Sequence, residues 1–584
     1  MINPIRSASE ELHSAIEKIL ADMADEKGTD KASLPAFTIE IPADRSHGDF
    51  ASNAALASAK AFRSNPRVIA EEIRSRMGST SESFDRVEIA GPGFINFFLS
   101  DKWFSAAVSS IIDEGADYGR TDLGNGKKVL LEFVSANPTG PMHVGNARGG
   151  AIGDCLASVM ETAGYSVCRE FYVNDAGNQV DKFGRSLELR YLQLNAPENK
   201  EFVNSFDDDD ALCKAVFEDT VRFPMPEDVY LGADIIAHAK KFTDINGDKY
   251  LTSSEEERRA ALVDYALPIN IKNLERDLGK YRIIYDSWFR ESTLHNDGSV
   301  SRIIEKMKES GYTYEQDGAL WFRSSELGDD KDRVLVRANG VPTYFVPDIA
   351  YHQNKLEERK FDIAIDILGA DHHGYIPRMK AAMKALGTDP DRLDMVIMQM
   401  VSLIDGEGNP VKQSKRSGKA ISLVTLLEEI PIDAARFFFN LREPDSQFEV
   451  DLDLAIEQSS KNPVYYVQYA YARICSIIRM LKSKGIFAVP GTEVNAAEPE
   501  ERELIRQLAA LPNTVNAAAK AYDPSKLTRY SAELAALFHK FYDKCRIMGE
   551  PEDVLHSRLA ICLAVKTVIE NVFGMLKITA PQKM

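Results

Sequence analysis

The part of this chain that most restricts its fold is an unbroken apolar run from Val129 to Val134, followed by a Gly/Pro loop. A helix then reaches about Ala163, and a second strand runs from Val167 to Val173. Continuously apolar strands separated by a helix point to a parallel sheet covered on both faces, because a strand buried on both sides has no polar face to offer water. The same rhythm returns with Ile363 to Leu368, a helix around Pro377 to Leu386 and a strand from Met395 to Met400. The pattern predicts one sheet in two halves, with ligands gathered at the carboxyl ends of its strands.

At 584 residues the chain exceeds what one core organises, and about 150 residues per domain predicts roughly three or four domains. The expected fold class is multidomain α/β: a Rossmann-like parallel-sheet catalytic domain split by an insertion, a small N-terminal α/β domain and a C-terminal all-α helical bundle. The expected boundaries are residues 1–120 for the N-terminal domain, 121–193 for the first half of the sheet and 194–332 for a helix-rich insertion. Residues 333–455 are expected to hold the second half, a basic loop and the connection to the bundle, which takes 456–584. Within the first domain, Phe37 to Ile41 alternates like a strand, Phe50 to Phe62 reads as Ala-rich helix, and Val87 to Phe98 as two strands broken by Gly91-Pro92-Gly93. Apolar residues at three-and-four spacing in Tyr465 to Met480, Leu504 to Ala518, Tyr530 to Ile547 and Leu555 to Met575 give the bundle its four helices.

Composition narrows the class of molecule. The first 27 residues read as an amphipathic helix, with Leu12, Ile16, Ile19, Leu20 and Met23 on one face, rather than as a signal sequence. No apolar stretch reads as approaching the roughly 20 residues that span a bilayer, so a cytoplasmic chain with no membrane partner is expected. The six cysteines lie far apart, without the short spacing of a zinc knuckle or a redox pair. Asp244, Asn246, Asp248 and Glu255 imitate a calcium loop, but Lys249 stands where the sharp turn requires glycine. No protein-held metal is expected. The net charge of −19 argues on its face against a nucleic-acid partner, yet from Ile456 onward there are 17 Lys+Arg against 13 Asp+Glu. That segregation suits a local phosphate-binding face as well as it suits a solvated helical surface.

Two motifs carry chemistry. The first runs from Glu132 through Ala136, Asn137, Pro138, Thr139, Gly140, Pro141, Met142, His143, Val144, Gly145 and Asn146, between strand and helix. Its Gly/Pro turn sets His143 at the start of the helix, where free N–H groups and the dipole favour anions, and Gly145 is expected to leave room for a nucleotide. The second is Val411-Lys412-Gln413-Ser414-Lys415-Arg416-Ser417-Gly418-Lys419, a basic loop after the second half of the sheet. Lysines there can neutralise the charge that develops on departing pyrophosphate.

In this order, on two halves of one sheet, the motifs resemble the His-Ile-Gly-His and Lys-Met-Ser-Lys-Ser signatures of class I aminoacyl-tRNA synthetases. Asn146 replaces the second histidine and Gln413 the methionine. The run from Glu132 to Asn146, the segment Asn339 to Tyr351, the segment Leu368 to Arg378, the helix around Asn462 to Arg473 and the early Ser46 to Asn53 resemble arginyl-tRNA synthetases, and this resemblance extends over essentially the whole chain. It implies an arginine–tRNA ligase that converts arginine and Mg·ATP to arginyl-adenylate, then passes the arginyl group to the 2′-hydroxyl of the terminal adenosine of tRNA-Arg. It further implies that activation needs bound tRNA. By the same resemblance, His143, Gly145, Asn146, Gly369, Asp371, His372, Lys412, Ser414 and Lys415 surround ATP, with His143, Asn146, Lys412 and Lys415 catalytic. Asn137, Tyr344 and Asp348 meet arginine, joined by Glu132, because five guanidinium donors call for carboxylates and an aromatic face.

The helical domain is expected to hold the anticodon, with Tyr465, Tyr466, Tyr469, Phe538 and Phe541 as candidate stacking residues that could equally be core. The N-terminal domain is expected to touch the tRNA corner. A monomer is expected. Two other readings stay open. One is a class I synthetase for another amino acid, against which the absent zinc-ligand cysteines and the Glu132, Tyr344, Asp348 set speak. The other is a non-catalytic RNA-binding derivative, against which His143, Lys412 and Lys415 speak.

Overall fold

The computed structural model describes residues 2–77, 81–411 and 421–584. It divides into two compact units: Met1–Leu123, Glu457–Ala521 and Ser525–Met584 form one, and Gly124–Ile456 with Tyr522–Pro524 the other.

The second unit is built on a five-stranded sheet in the spatial order Leu393–Met398, Ile363–Gly369, Lys128–Glu132, Ser166–Val173, Ser287–Arg290, with every neighbouring pair parallel. In the central strand Val129, Leu130 and Leu131 are fully buried, as a strand covered on both faces requires. The chain proceeds outward to one side through Ser166–Val173, then returns to build the other side from Ile363–Gly369. The central strand and Ile363–Gly369 therefore flank the point where strand order reverses, and a crevice opens beyond their carboxyl ends.

The helix Val144–Thr162 covers the sheet and is buried almost throughout. A Cβ on Gly153 would fall 2.2 Å from the Phe133 ring, so any side chain there would push the helix off its strand. Asp154 anchors it electrostatically, accepting from Arg436 Nη2 at 2.5 Å and Arg169 Nε at 3.3 Å. All three groups are almost or wholly buried and paired, the condition under which charge is tolerated inside a protein.

The insertion is not purely helical. Ser287–Arg290, expected within it, is the edge strand of the main sheet, and an antiparallel sheet of Thr313–Gln316, Ala319–Phe322 and Arg333–Val336 follows. Four residues bounded by charges give too short a period to register in sequence. Asp244 and Asn246 lie at the end of the helix Ala233–Asn246, where Asp244 pairs with Lys240 at 2.6 Å.

The first unit joins an antiparallel sheet, in the order Ile39–Glu40, Phe50–Ser52, Phe94–Leu99, Phe84–Ala90, to the C-terminal helices. Phe50 to Phe62, read as one helix, divides into the strand Phe50–Ser52 and the helix Ala54–Phe62, because Phe50, Ala51 and Ser52 pair with Phe97, Asn96 and Ile95. The expected helix Leu504 to Ala518 is likewise two, Pro499–Ala509 and Leu511–Ala521, the second opening with Leu511-Pro512 where proline is accommodated in a first turn. Arg506 ties the halves of this unit together through Asp49 at 2.5 Å, and Tyr118 donates to the Leu508 carbonyl at 3.1 Å.

The expectation about membrane-length segments needs correction. The helix Glu552–Leu576 holds an 18-residue window of mean hydropathy 1.8, long and apolar enough to cross a bilayer, and 67% of that window is buried inside the protein. It is the core helix of the bundle. Along it Arg558 pairs with Glu501 at 2.7 Å and Lys566 with Glu570 at 2.6 Å. Phe538 and Phe541, candidates for stacking on bases, are fully buried core. Tyr465 and Tyr469 stack on one another with their centroids 6.3 Å apart, and Tyr469 retains exposure.

Candidate active site

Between the central strand and its helix the backbone makes a turn that ordinary residues avoid: Val134 and Ser135 have φ of 70° and 41°. This left-handed pair swings the chain out of the sheet into the signature loop. The loop is pinned from three sides. Asn270 donates to the Pro138 carbonyl at 3.0 Å, the Met142 carbonyl accepts from Leu423 N–H at 2.9 Å, and His143 bridges to Ser422.

At its end His143 caps the helix. Its Nδ1 accepts from Gly145 N–H at 3.1 Å, while Asn146 Oδ1 accepts from His143 N–H at 3.1 Å, a reciprocal capping box. Nδ1 is thereby an acceptor, so in the neutral imidazole the proton resides on Nε2, which is left to donate outward. A Cβ on Gly145 would meet His143 Cε1 at 2.8 Å and the Met400 methyl at 3.0 Å, so the absent side chain makes room for the folded-back imidazole.

The loop forms one wall of a cleft of about 720 Å³ at the carboxyl ends of the strands. Ala136, Asn137, Thr139, Gly140, Pro141, Met142, His143, Gly145 and Asn146 line it from one side, Gly369, Asp371 and His372 from the other. Pro138 and Val144 are not on its walls. His143, Asp371 and His372 are exposed, and His372 Nδ1 lies 3.1 Å from Asp371 Oδ1. The insertion adds Tyr230, Leu231 and Asp234, which sequence reasoning did not single out. Burial raises the Asp234 carboxyl above its ordinary range, opposed by its hydrogen bonds to backbone N–H groups and by His238.

The lysine-rich loop, with Lys412, Gln413, Ser414 and Lys415, lies outside the described residues. Its flanks are described: Val411 N–H donates to the Leu403 carbonyl at 2.8 Å, and Ser422 is the residue bridged to His143.

Glu132, Tyr344 and Asp348 do not line that cleft. Glu132 is buried at the end of the central strand, its Oε1 accepting from Ser135 Oγ at 2.8 Å and its Oε2 from Lys355 Nζ at 2.6 Å. Burial raises its carboxyl, opposed chiefly by Lys355. Asp348 accepts from the Tyr375 hydroxyl and keeps partial solvent access; burial raises its carboxyl too, opposed by that hydrogen bond. Tyr344 begins the helix that carries Asp348 and is 49% exposed.

A further carboxylate stands nearby. Glu291 is buried at the start of the helix Glu291–Asn296, and its carboxyl is raised first by burial, with the like charge of Asp348 adding. The Tyr172 hydroxyl is raised first by burial and then by the charges of Glu291, Asp348 and Glu132. Desolvated carboxylates of this kind gain from a cationic partner. In sequence Glu291 is one acid among many, and no local signal separates it from solvated neighbours.

Comparison with known proteins places this geometry. Three family models match in succession: "Arginyl tRNA synthetase N terminal domain" over residues 10–99, "tRNA synthetases class I (R), catalytic domain" over 107–459 and "DALR anticodon binding domain" over 467–584. The chain is 49% identical over 587 residues to an arginine–tRNA ligase of Caldanaerobacter subterraneus subsp. tengcongensis, covering 100% of both chains. It is 48% identical over 595 residues to that of Acetivibrio thermocellus, again with 100% of both covered. Among solved structures, the arginyl-tRNA synthetase of Thermus thermophilus aligns with TM-score 0.71 at 21% identity over 99% of this chain and 100% of that one. The enzyme of Plasmodium falciparum aligns with TM-score 0.70 at 17% identity over 99% of each, and at such identities these two speak for the fold. A parallel sheet split by an insertion, a capped signature histidine at its crevice and full-length identity near one half agree: the chain belongs to the arginyl-tRNA synthetase family of class I aminoacyl-tRNA synthetases.

Proposed function

We propose that this chain activates L-arginine with Mg·ATP and transfers it to tRNA-Arg, with ATP in the signature cleft and the arginine side chain among the carboxylates beside it. The observation that carries this reading is the adjacency of two unlike sites on one sheet. One is a cleft at a helix N-terminus, suited to phosphate. The other is a set of desolvated carboxylates, Glu132, Asp348 and Glu291, whose charges all act on the Tyr172 hydroxyl, suited to a guanidinium.

The arginine carboxylate attacks the α-phosphate, forming the mixed anhydride and releasing pyrophosphate. The 2′-hydroxyl of the terminal adenosine then attacks the arginyl carbonyl, loses its proton and expels AMP. His143, donating from Nε2, and Asn146 stabilise phosphate oxygens, while Gly369, Asp371 and His372 hold the nucleoside side. Lys412, Ser414 and Lys415 bear on the β and γ phosphates, where charge grows as pyrophosphate leaves. Asn137 and Tyr344 orient arginine, and Glu132, Asp348 and Glu291 accept from its guanidinium.

Among the described residues no trio of His, Cys, Asp or Glu could cage a metal ion; Mg²⁺ fits as an ion brought in on the phosphates of ATP, its usual mode in nucleotide sites. The C-terminal helices take the anticodon loop, and the enzyme works as a cytoplasmic monomer. A site that pairs buried carboxylates with guanidinium rejects neutral analogues by about 10⁴-fold or more without editing, because the carboxylates would be left unpaired.

The test is arginine-dependent exchange of labelled pyrophosphate into ATP, with and without tRNA-Arg, against a panel of amino acids. Exchange with arginine only when tRNA is present supports the whole reading. Exchange with another amino acid removes the pocket assignment, and tight tRNA binding without exchange removes catalysis.

A further inference from the structure

One fully buried cation has no part in the chemistry above. Lys355 is 0% exposed; its Nζ donates to Glu132 Oε2 at 2.6 Å and to Asp366 Oδ1 at 2.7 Å, and stands 4.0 Å from the Tyr351 ring centroid. Two carboxylates and an aromatic face thus occupy its three protons. It sits in a π turn, Asn354–Glu358, that continues the helix Phe345–Gln353 carrying Asp348. Such turns are rare and concentrate at functional positions. From the same helix His352 bonds Asp366 Oδ2 at 2.7 Å through Nε2 and the Asp348 carbonyl at 2.7 Å through Nδ1. Glu132 and the Asp348 backbone therefore hang on one unbroken chain of side chains through Lys355, Asp366 and His352.

Stability alone does not explain a lysine here, since apolar residues of equal volume commonly match or better a buried ion pair. What an apolar residue could not do is keep Glu132 charged. Without a neighbouring cation, burial would drive that carboxyl to hold its proton and present a hydroxyl where an acceptor is needed. We propose that Lys355 is a positioning residue for amino-acid recognition: it holds the Glu132 carboxylate ionised and fixed, so that arginine meets a charged acceptor rather than a carboxylic acid. The proposal rests on the reading of Glu132 as an arginine contact. Lys355 acts through Glu132 and touches neither substrate.

The experiment measures KM for arginine and for ATP, and kcat, in aminoacylation of tRNA-Arg by the full chain, for Lys355→Met, Glu132→Gln and the double variant. Lys355→Met is expected to raise the arginine KM by about 10- to 100-fold, the scale on which partners of a ligand-holding group act, with the ATP KM changed less than about threefold. In the Glu132→Gln background it should add less than about twofold, because its target is already neutral. Equal rises in both KM values, or multiplicative effects in the double variant, would overturn the proposal and leave Lys355 a packing residue. An unchanged arginine KM in Glu132→Gln would instead remove the contact assignment on which the proposal rests. If Lys355→Met does not fold, Lys355→Gln carries the same comparison: it keeps a hydrogen-bond donor but removes the charge, and an unaltered arginine KM there would overturn the proposal too.

Discussion

The two neighbouring sites on this sheet are made of different material. The cleft proposed for ATP takes one whole wall from a single contiguous loop, its backbone and a helix terminus, with Gly369, Asp371 and His372 facing it and Tyr230, Leu231 and Asp234 added by the insertion. The acidic cluster beside it is assembled from buried and partly buried side chains contributed by distant segments, with Glu132 and its partner Lys355 separated by 223 residues. A phosphate can be held by N–H groups that any sequence supplies, provided the turn is right. A guanidinium needs carboxylates kept charged where water is scarce, and that demands partners from elsewhere in the fold. Substitutions in the cluster should therefore act on arginine binding, and substitutions around the cleft on the rate of activation.

The sharpest test of that division is Asp348→Asn. Loss of a buried charge partner is worth about 10²–10³-fold in binding, and for Asp348, which keeps partial solvent access, the lower end is expected as a rise in arginine KM with the ATP KM nearly constant; a comparable rise in both would erase the distinction. On the other side, Lys415→Ala should slow adenylate formation by about 10²-fold, the scale of a lost oxyanion donor, while arginine binding stays almost intact; an unchanged rate in stopped flow would remove the lysine from the mechanism. A smaller effect is expected from Gly145→Ala. The added methyl must displace the His143 ring, which stands 2.8 Å from its position, and a misplacement of this order should lower kcat about tenfold with little change in arginine KM.

The smallest effect separates the sites by proton count. Burial raises Asp348 and Glu291 above the ordinary carboxylate range. A bound guanidinium favours their ionised forms, so arginine binding should release a fraction of a proton at pH values between the ordinary carboxylate range and the raised one, and none well above it. For the same reason the unliganded protein loses stability as pH rises through the raised values, and arginine should restore it. Calorimetry in buffers of unlike ionisation heat measures the release; ATP binding should show none of it.

Legibility in sequence followed the same division. Val129, Leu130 and Leu131 announced a strand buried on both faces, and Pro138, Gly140 and Pro141 announced the turn before His143, because these signals are local. Residues in the cleft walls were nameable from one stretch of chain and from Gly369, Asp371 and His372. Ser287–Arg290 was not legible as a strand, since four residues between Asp286 and Glu291 carry no measurable period. Glu291 and Lys355 were equally silent: their character comes from burial and from partners that only the folded chain brings near. Gly145 was legible as a constraint, while its close approach to the folded-back ring two positions before it was not.

The left-handed pair Val134 and Ser135 has a consequence for how this enzyme can change over generations. A β-branched residue at φ 70° holds conformational energy of about 1–3 kcal/mol against the fold, and glycine would release it. Selection for endurance in heat, blind to catalysis, would reach for that substitution early. Yet the Val134 methyl rests 3.5 Å from where a Gly150 side chain would begin, and Ser135 gives its hydroxyl to Glu132. The relaxed loop would wander from both. Descendants of this sequence that grow more robust should accordingly carry their gains far from the crevice, leaving an island of unrelieved tension at its mouth.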